Sequence, residues 1–423
     1  MKKVGDSKMK FSRTGISTTT VAAIAVVAII VVGAGAYLAA SGSKTTTTVT
    51  STTTTTTTAL STSVSVATST STSVATTIAQ PILPASLTAT SSPISEAGSS
   101  LLYPLFELWA ANFTQTFSNV KVNTAAGGSG AGLSGVEGNT INIGASDPFM
   151  TTAQSSAYPG ILNIPVAVSS QAVNYNLPSI PQTTHLNFTG NVLAGIYNGT
   201  ITTWNNAAIQ ALNPSVTLPS NTIVPLHRSD SSGDTNLFTT YLTDTSPDWA
   251  KNFGAGNTVA WASVPSAQAE SGNSGMLTAC DQTAYSIAYI GVSYQAQATK
   301  DNLGSGALKN LAGAFVQLTA TTVSAAVNAQ YAATPPNEKI SLIYGPGSNS
   351  YPIVNFEYAL VQQTQSSAAL AQDIQALLWY ATLPQYGQQA YFLNGPTTGS
   401  LGFLPLPNSI AQLSWAQINS ITG

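Results

Sequence analysis

Apolar positions along the chain fall into three regimes. Val21 to Ala40 is an unbroken apolar run, VAAIAVVAIIVVGAGAYLAA, without a charge. At ~1.5 Å rise per residue, such a run predicts a helix of ~30 Å, the thickness of a bilayer's hydrocarbon core. From Ser41 to Gln80 the apolar pattern vanishes, and 27 of the 40 residues are Ser or Thr. A segment with so little apolar surface cannot offset the entropy lost on ordering, which predicts a disordered stalk over 41–94, ended by Pro81, Pro84 and Pro93. Beyond it the periodicity of a folded head returns. Apolar residues at 101, 102, 105, 106, 108, 109 and 113 make one helical face, with Pro104 in the first turn and Gly98-Ser99-Ser100 as the cap region. Val120 to Val122 reads as a short strand, the Gly-rich stretch 127–132 as a loop opening a helix, and Ile141 to Ala145 as a strand ending in Ser146-Asp147. Ile161 to Tyr175 reads as further strands, and 189–197 as a helix capped by Thr189. Strands alternating with helices predict an α/β head.

Composition sharpens this picture. Of 423 residues, 12 are Lys or Arg and 15 are Asp or Glu. Five of the basic residues precede Val21, which places the N-terminal segment 1–20 in the cytoplasm and everything after 40 outside. Cleavage near Ala39-Ala40 would remove the helix. Arg13 to Ser17, by contrast, resembles the class III, prepilin-like signals of archaea, which are cut before the apolar run. The Ser/Thr stretch is expected to carry O-glycans. Asn112, Asn187 and Asn198 head N-x-Thr sequons and are glycosylation candidates. From Glu96 onward there are six Lys or Arg against fourteen Asp or Glu, so a basic nucleic-acid surface is excluded. One cysteine, Cys280, rules out an intramolecular disulfide and a Cys-based zinc site, and two histidines rule out a His-rich metal centre. No cofactor is expected. Cys280 is expected to be a buried, inert thiol, and His227 to pack beneath a loop. A surface of Ser, Thr, Asn and Gln changes charge little when carboxylates protonate, which predicts a head that stays folded in an acidic medium. Anchor and stalk together point to an archaeal cell surface.

Candidate chemistry concentrates in four short segments: Ser99-Ser100-Leu101, Gly128-Ser129-Gly130, Ala145-Ser146-Asp147 and the run Arg228 to Asp234. Each follows a strand or opens a helix. There, unpaired N–H groups and a partial positive charge suit an oxyanion, and glycine lets backbone approach closely. Taken singly, each segment reads more readily as an ordinary helix cap. Arg228 changes the balance, being the one arginine beyond residue 13. Its fork matches an oxyanion bidentately, and Asp230 can hold that fork in place.

These segments, with TGNVLAGIYNGTITTWNNAAIQALNPSVTLP (189–219), HRSDSSGDTNLFTTYL (227–242), YPIVNFEYALV (351–361) and LGFLPLP (401–407), resemble the PstS family, the phosphate-binding proteins of ABC-type phosphate importers. The resemblance runs from Glu96 to Ile418. It implies a two-lobed periplasmic-binding-protein-like α/β fold with the ligand cleft between the lobes. Lobe one would be 95–172 plus 292–423, and lobe two 173–291. It also implies that phosphate is bound by Ser100, the Leu101 N–H, Ser129, Asp147, Arg228, Ser232, Gly233 and Asp234, with Asp230 orienting Arg228. Ser231 stands where the family has Gly, and Asp234 where Thr is frequent, which puts a hydroxyl contact at 234 in doubt. The implied partners are inorganic phosphate, an ABC permease and its ATPase, with no covalent chemistry in the head.

The residues support that reading independently. Phosphate near neutrality or in acid carries a proton, and sulfate does not. A buried carboxylate such as Asp147 accepts the phosphate proton and only repels sulfate. Other readings are a binding protein for sulfate or another tetrahedral oxyanion, and a cell-surface structural or filament subunit. A phosphatase would need a metal cluster or activated nucleophile that the composition does not offer.

Overall fold

The computed structural model describes residues 46–56, 66–76, 78–88, 93–395 and 401–423. They fall into two units, one ending at Thr77 and one running Ile78–Gly423. The basic segment 1–20 and the apolar segment 21–40 lie outside the described residues. Among the described residues no helix is long and apolar enough to cross a membrane.

The first unit differs from the structureless stalk expected over 41–94. Strands Thr46–Thr56 and Val66–Thr76 pair antiparallel, with Thr46 opposite Thr76 and Thr56 opposite Val66. Threonine and valine are β-branched and favour extended backbone, so a composition too polar for a core still has strand propensity. The head also begins earlier than Ile94. Leu87 is buried, and Ile78 and Leu83 pack on the core, while Asn119 donates a side-chain hydrogen bond to the Leu87 carbonyl. Apolar residues between the prolines of this segment therefore dock it onto the head.

The head is organised by one strand, Ile161–Tyr175, where the sequence suggested several. Its fifteen residues reach ~50 Å at ~3.3 Å each. Residues 161–170 pair antiparallel with Val354–Gln362, and residues 171–175 with Ser286–Gly291. On the first side the sheet continues through Ile143–Ser146 and Ile94–Gly98 to Val122–Asn123. On the second it continues through Val224–Arg228 to Gln268–Glu270. The polar middle, Ser169-Ser170-Gln171, looks like a break in an apolar strand, yet all three residues are buried.

Helices form where the pattern placed them. Tyr103–Thr116 buries Leu105, Phe106, Trp109 and Phe113 on one face. Gly190–Tyr197 starts at Thr189, whose hydroxyl accepts the Val192 N–H at 3.2 Å. Lobe two extends past 291, because Gly304–Ser305 pairs with Asn174 and Tyr175 and Ala307–Lys309 pairs with Asn187–Phe188. Those contacts tie 304–309 to the second lobe, so the segment's place in the chain was a poor guide to its lobe. Cys280 is buried and accepts from the Ser286 hydroxyl. His227 stacks on Trp261 with ring centres 4.8 Å apart, next to the site rather than in it.

The sequons differ in setting. Asn187 lies in a strand with its amide donating to the Leu212 carbonyl at 3.1 Å. Asn112 lies within a helix and donates to Leu108. Asn198 ends its helix in a turn, accepting from the Thr200 N–H at 3.0 Å. Its amide also donates to Asp248 Oδ2 at 3.2 Å, so all three sequon amides are engaged, and Asn198 differs only in lying in a turn rather than in a helix or strand.

Several carboxyls are buried without a cation. Burial pushes Glu96 up to about 8 and Glu338 up to about 9, the latter against hydrogen bonds from Ser414 and Gln417. Because these folded values lie above the unfolded ones, the folded head holds protons that the unfolded chain releases. The contribution is complete below about pH 4, the unfolded carboxyl range, and is lost as pH rises through 8 to 9. Calorimetric melting should therefore give a Tm at least about 5 °C higher at pH 5 than at pH 9, given the usual conversion of a few kcal/mol into Tm. A Tm that rises toward alkali would contradict this.

Candidate functional site

The site is assembled where strands of both lobes end. Gly98 closes the strand Ile94–Gly98 with φ +145°, and a Cβ there would lie 2.1 Å from the Ala145 carbonyl oxygen. The two strands can approach this closely because the residue is glycine. Ser99 follows. Its hydroxyl accepts the N–H groups of Leu101 (3.1 Å) and Leu102 (3.0 Å) and donates to Asp147 Oδ1. The Leu101 N–H is thus held by Ser99, and the Ser100 hydroxyl accepts from Asn273 through both its backbone N–H and its amide, at 3.1 Å each.

Ser129 opens the helix Ser129–Glu137, and its hydroxyl accepts the Asp147 N–H at 3.1 Å. From the other lobe, Ser232 caps the helix Gly233–Thr245 by accepting the Thr235 N–H at 3.3 Å. Gly233 fits directly against lobe one. A Cβ there would lie 2.2 Å from Asp147 Oδ2 and 2.3 Å from Ser129 Oγ. The lobes are in contact, with the Gly130 N–H donating to the Ser231 carbonyl at 2.9 Å. Ser100, Ser129, Asp147, Arg228, Ser232 and Asp234 are all buried.

Arg228 ends the strand Val224–Arg228. Its Nε donates to Asp230 Oδ1 at 2.6 Å, and Nη2 to Asp230 Oδ2 at 2.5 Å. Nη1 donates to Asp234 Oδ2 at 3.0 Å. Three of the five guanidinium N–H groups are therefore held by carboxylates. Asp234, expected to contribute at most its backbone N–H, instead turns its side chain onto Arg228. It also accepts from Gln171 at 2.9 Å and from Asn273 at 2.6 Å. A threonine could not occupy this position in the same way, because it carries no charge to pair with the guanidinium.

The charges explain the titration of each group. Burial opposes ionisation of Asp230, but the hydrogen bond and charge of Arg228 outweigh it and hold the carboxyl below its usual value. Asp147 is raised, first by burial and then by the charge of Asp234, against a hydrogen bond from Ser99. Asp234 is raised by burial despite Arg228. Glu357 is raised well above its usual value by burial and then by Asp147.

The structure thus brings together every residue expected at the site, from both lobes. Ser99 was read only as part of its segment, and three further residues that contact the cluster, Gln171, Asn273 and Glu357, were not anticipated. Ser99 stood in the right segment one position early. Gln171 and Asn273 are neutral polar residues in a chain crowded with them. Glu357 was a lone acid in an apolar strand, which is a signal in itself, since buried acids are rare. Chemically, hydroxyl and N–H groups gathered near a buried guanidinium and a buried carboxyl make an arrangement suited to a protonated tetrahedral oxyanion.

The chain is similar to known proteins over most of its length. Residues 39–381 match the family model of the PBP superfamily domain. The phosphate-binding protein PstS of Methanocaldococcus jannaschii is 33% identical over 345 residues, covering 75% of this chain and 84% of that protein. PstS of Pasteurella multocida is 32% identical over 334 residues, covering 78% and 91%. Among solved structures, a high-affinity periplasmic phosphate-binding protein (PfluDING) bound with phosphate superposes with a TM-score of 0.61 at 20% identity, covering 77% of this chain and 93% of that one. A phosphate-binding protein from Stenotrophomonas maltophilia gives 0.55 at 18% identity, covering 77% and 94%. With its two-lobed fold, its interlobe cluster around Arg228 and this degree of identity over most of the chain, the protein belongs to the PstS family of phosphate-binding proteins.

Proposed function

We propose that the head captures inorganic phosphate in the cleft between its lobes and delivers it to an ABC-type importer, a permease driven by its ATPase. The observation that carries this reading is the pairing of a buried acceptor with a buried cation. The Asp147 carboxylate accepts from the Ser99 hydroxyl, its backbone N–H donates to the Ser129 hydroxyl, and the charge of Arg228 acts on it from lobe two. The cation attracts any anion, whereas the carboxylate rewards one that still carries a proton. Binding groups from both lobes make the closed form the high-affinity form, and a receptor on the membrane can recognise that form. The head performs no covalent step.

The apolar segment 21–40 anchors the chain in the cell membrane with the head on the outer face, and the Ser/Thr-rich segment holds the head off the bilayer. An archaeal envelope and glycans on the sequons fit the same picture. The basic flank and the length of the apolar run support the anchor. On cell fractionation the full chain should sediment with membranes and resist extraction by salt, and deletion of 21–40 should release it. Recovery of the full chain in the soluble fraction would remove the anchor from this reading.

Titration calorimetry with phosphate, arsenate and sulfate tests the ligand. Phosphate and arsenate should bind and sulfate should bind at least about tenfold more weakly, a difference of ~1.4 kcal/mol. Equal affinity for sulfate would favour the general oxyanion reading.

Two substitutions separate the roles. Arg228→Ala should weaken phosphate binding by at least about 2–3 kcal/mol, the scale of lost charge-assisted bonds. It also leaves Asp230 and Asp234 without their cation, so a lower Tm should accompany it. Asp147→Asn replaces an obligatory acceptor by a group that also donates. Phosphate affinity should change little while sulfate gains, measured above the raised Asp147 titration. An unchanged phosphate-to-sulfate ratio would withdraw Asp147 from its role.

A further inference from the structure

Glu357 lies next to the proposed acceptor through the register of the sheet. Strands Ile143–Ser146 and Val354–Gln362 pair antiparallel with Ser146 opposite Tyr358. One step further along that ladder sets Asp147 opposite Glu357, the position at which cross-strand side chains meet. A register shift between Glu357 and Tyr358 on the other side of the same strand is the kind of irregularity that re-aims a side chain. Asn355 ties the two residues together, donating to the Asp147 carbonyl at 3.0 Å and to Glu357 Oε1 at 2.8 Å. Ser169 also donates to Oε1, at 2.5 Å. Glu357 Oε2 is buried and receives no hydrogen bond from any donor among the described residues.

Both carboxyls are buried. Glu357 has neutral neighbours in Ser169 and Asn355 and one charged neighbour, Asp147. Asp147 itself faces Asp234 and Arg228 across the cleft. Two like charges in contact in a buried site cannot both persist, so the pair must keep a proton. That proton belongs on the oxygen that no donor serves, Oε2. The Glu357 and Asp147 carboxyls lie within hydrogen-bond reach of each other, so a proton held there can be donated to Asp147, which then remains an ionised acceptor. We propose that Asp147 and Glu357 work as one acid–carboxylate unit in which Glu357 holds the proton, and that Glu357 is the positioning residue behind the site's preference for phosphate over sulfate. The proposal rests on the phosphate reading of the cleft. Burial and the neighbouring carboxylate, which raise Glu357 well above its usual value, are consistent with it.

The arrangement explains how an acceptor can stay charged in so acidic a pocket. If Glu357 were ionised, its charge would drive a proton onto Asp147, and Asp147 would then offer an O–H to any anion. Discrimination by proton count would be lost. With the proton on Glu357, Asp147 receives O–H groups from Ser99 and Glu357 and keeps lone pairs for the ligand's own proton.

Three measurements test this. In infrared difference spectra of the unliganded protein at neutral pH, the carbonyl stretch of a protonated carboxyl should be present in the wild type and weakened in Glu357→Gln. Its equal strength in both would overturn the proposal. Calorimetry with phosphate and sulfate should then find Glu357→Gln, neutral and still a donor, within about threefold of wild type for both anions. A gain of about tenfold or more for both would mean that a charge had been removed, and would also overturn it. Glu357→Leu is neutral without a donor. The pH below which selectivity for phosphate collapses should rise by about one unit in this variant. A profile identical to wild type would leave Glu357 without a role. Failure of the wild type to bind phosphate would instead sink the phosphate reading, and the infrared result would still report where the proton sits.

Discussion

One guanidinium has to serve four nearby carboxyl groups. Arg228 is held by Asp230 and Asp234, Asp147 faces it across the cleft, and Glu357 backs Asp147. Were all four ionised, the pocket would be strongly negative before any anion arrived. The surrounding structure reduces that charge. Asp230 keeps its charge because it is paired at both oxygens with the arginine. Asp234 is surrounded by the amides of Gln171 and Asn273, which stabilise it without adding charge. Burial first, and then the charge of Asp147, favour the neutral form of Glu357. The hydroxyl and N–H groups around these carboxyls contribute only partial charges, which cost less to bury than whole ones.

The same groups join the lobes. Gln171 lies on the strand that both lobes share, yet donates to Asp234 of the second lobe's helix. Asn273 of the second lobe grips Ser100 of the first. Polar residues in the middle of a sheet strand would ordinarily interrupt it. Here Gln171 is bonded to Asp234, and Ser169 to Asn355 and Glu357 beside Asp147, so the polar stretch is the part of the strand nearest the site.

Much of the site could be read from the chain, for identifiable reasons. Arg228 stood out because arginine is so scarce, and Asp230 because two residues is the reach of a bidentate clamp. Gly128, Gly130 and Gly233 marked places where backbone must come close, and the interlobe packing at all three shows why. The strands and helices that carry these loops followed their apolar periodicity. Glu357 and Asn273 escaped because their roles arise from pairing between distant segments: Ser146 with Tyr358, and Ser100 with Asn273. The long strand was divided because Ser169-Ser170-Gln171 breaks the apolar pattern while remaining buried. The side chain of Asp234 went unread because helix-start acids commonly serve the helix itself, whereas this one serves the arginine.

The head's scarcity of charge also bears on how fast the site can fill. With six Lys or Arg against fourteen Asp or Glu from Glu96 onward, and Arg228 buried and held by its own carboxylates, the head has no net positive field to draw anions inward. What long-range field remains is negative, and it opposes an approaching anion until salt screens it. Dissolved salt then speeds encounter rather than slowing it, the reverse of a site filled by electrostatic attraction.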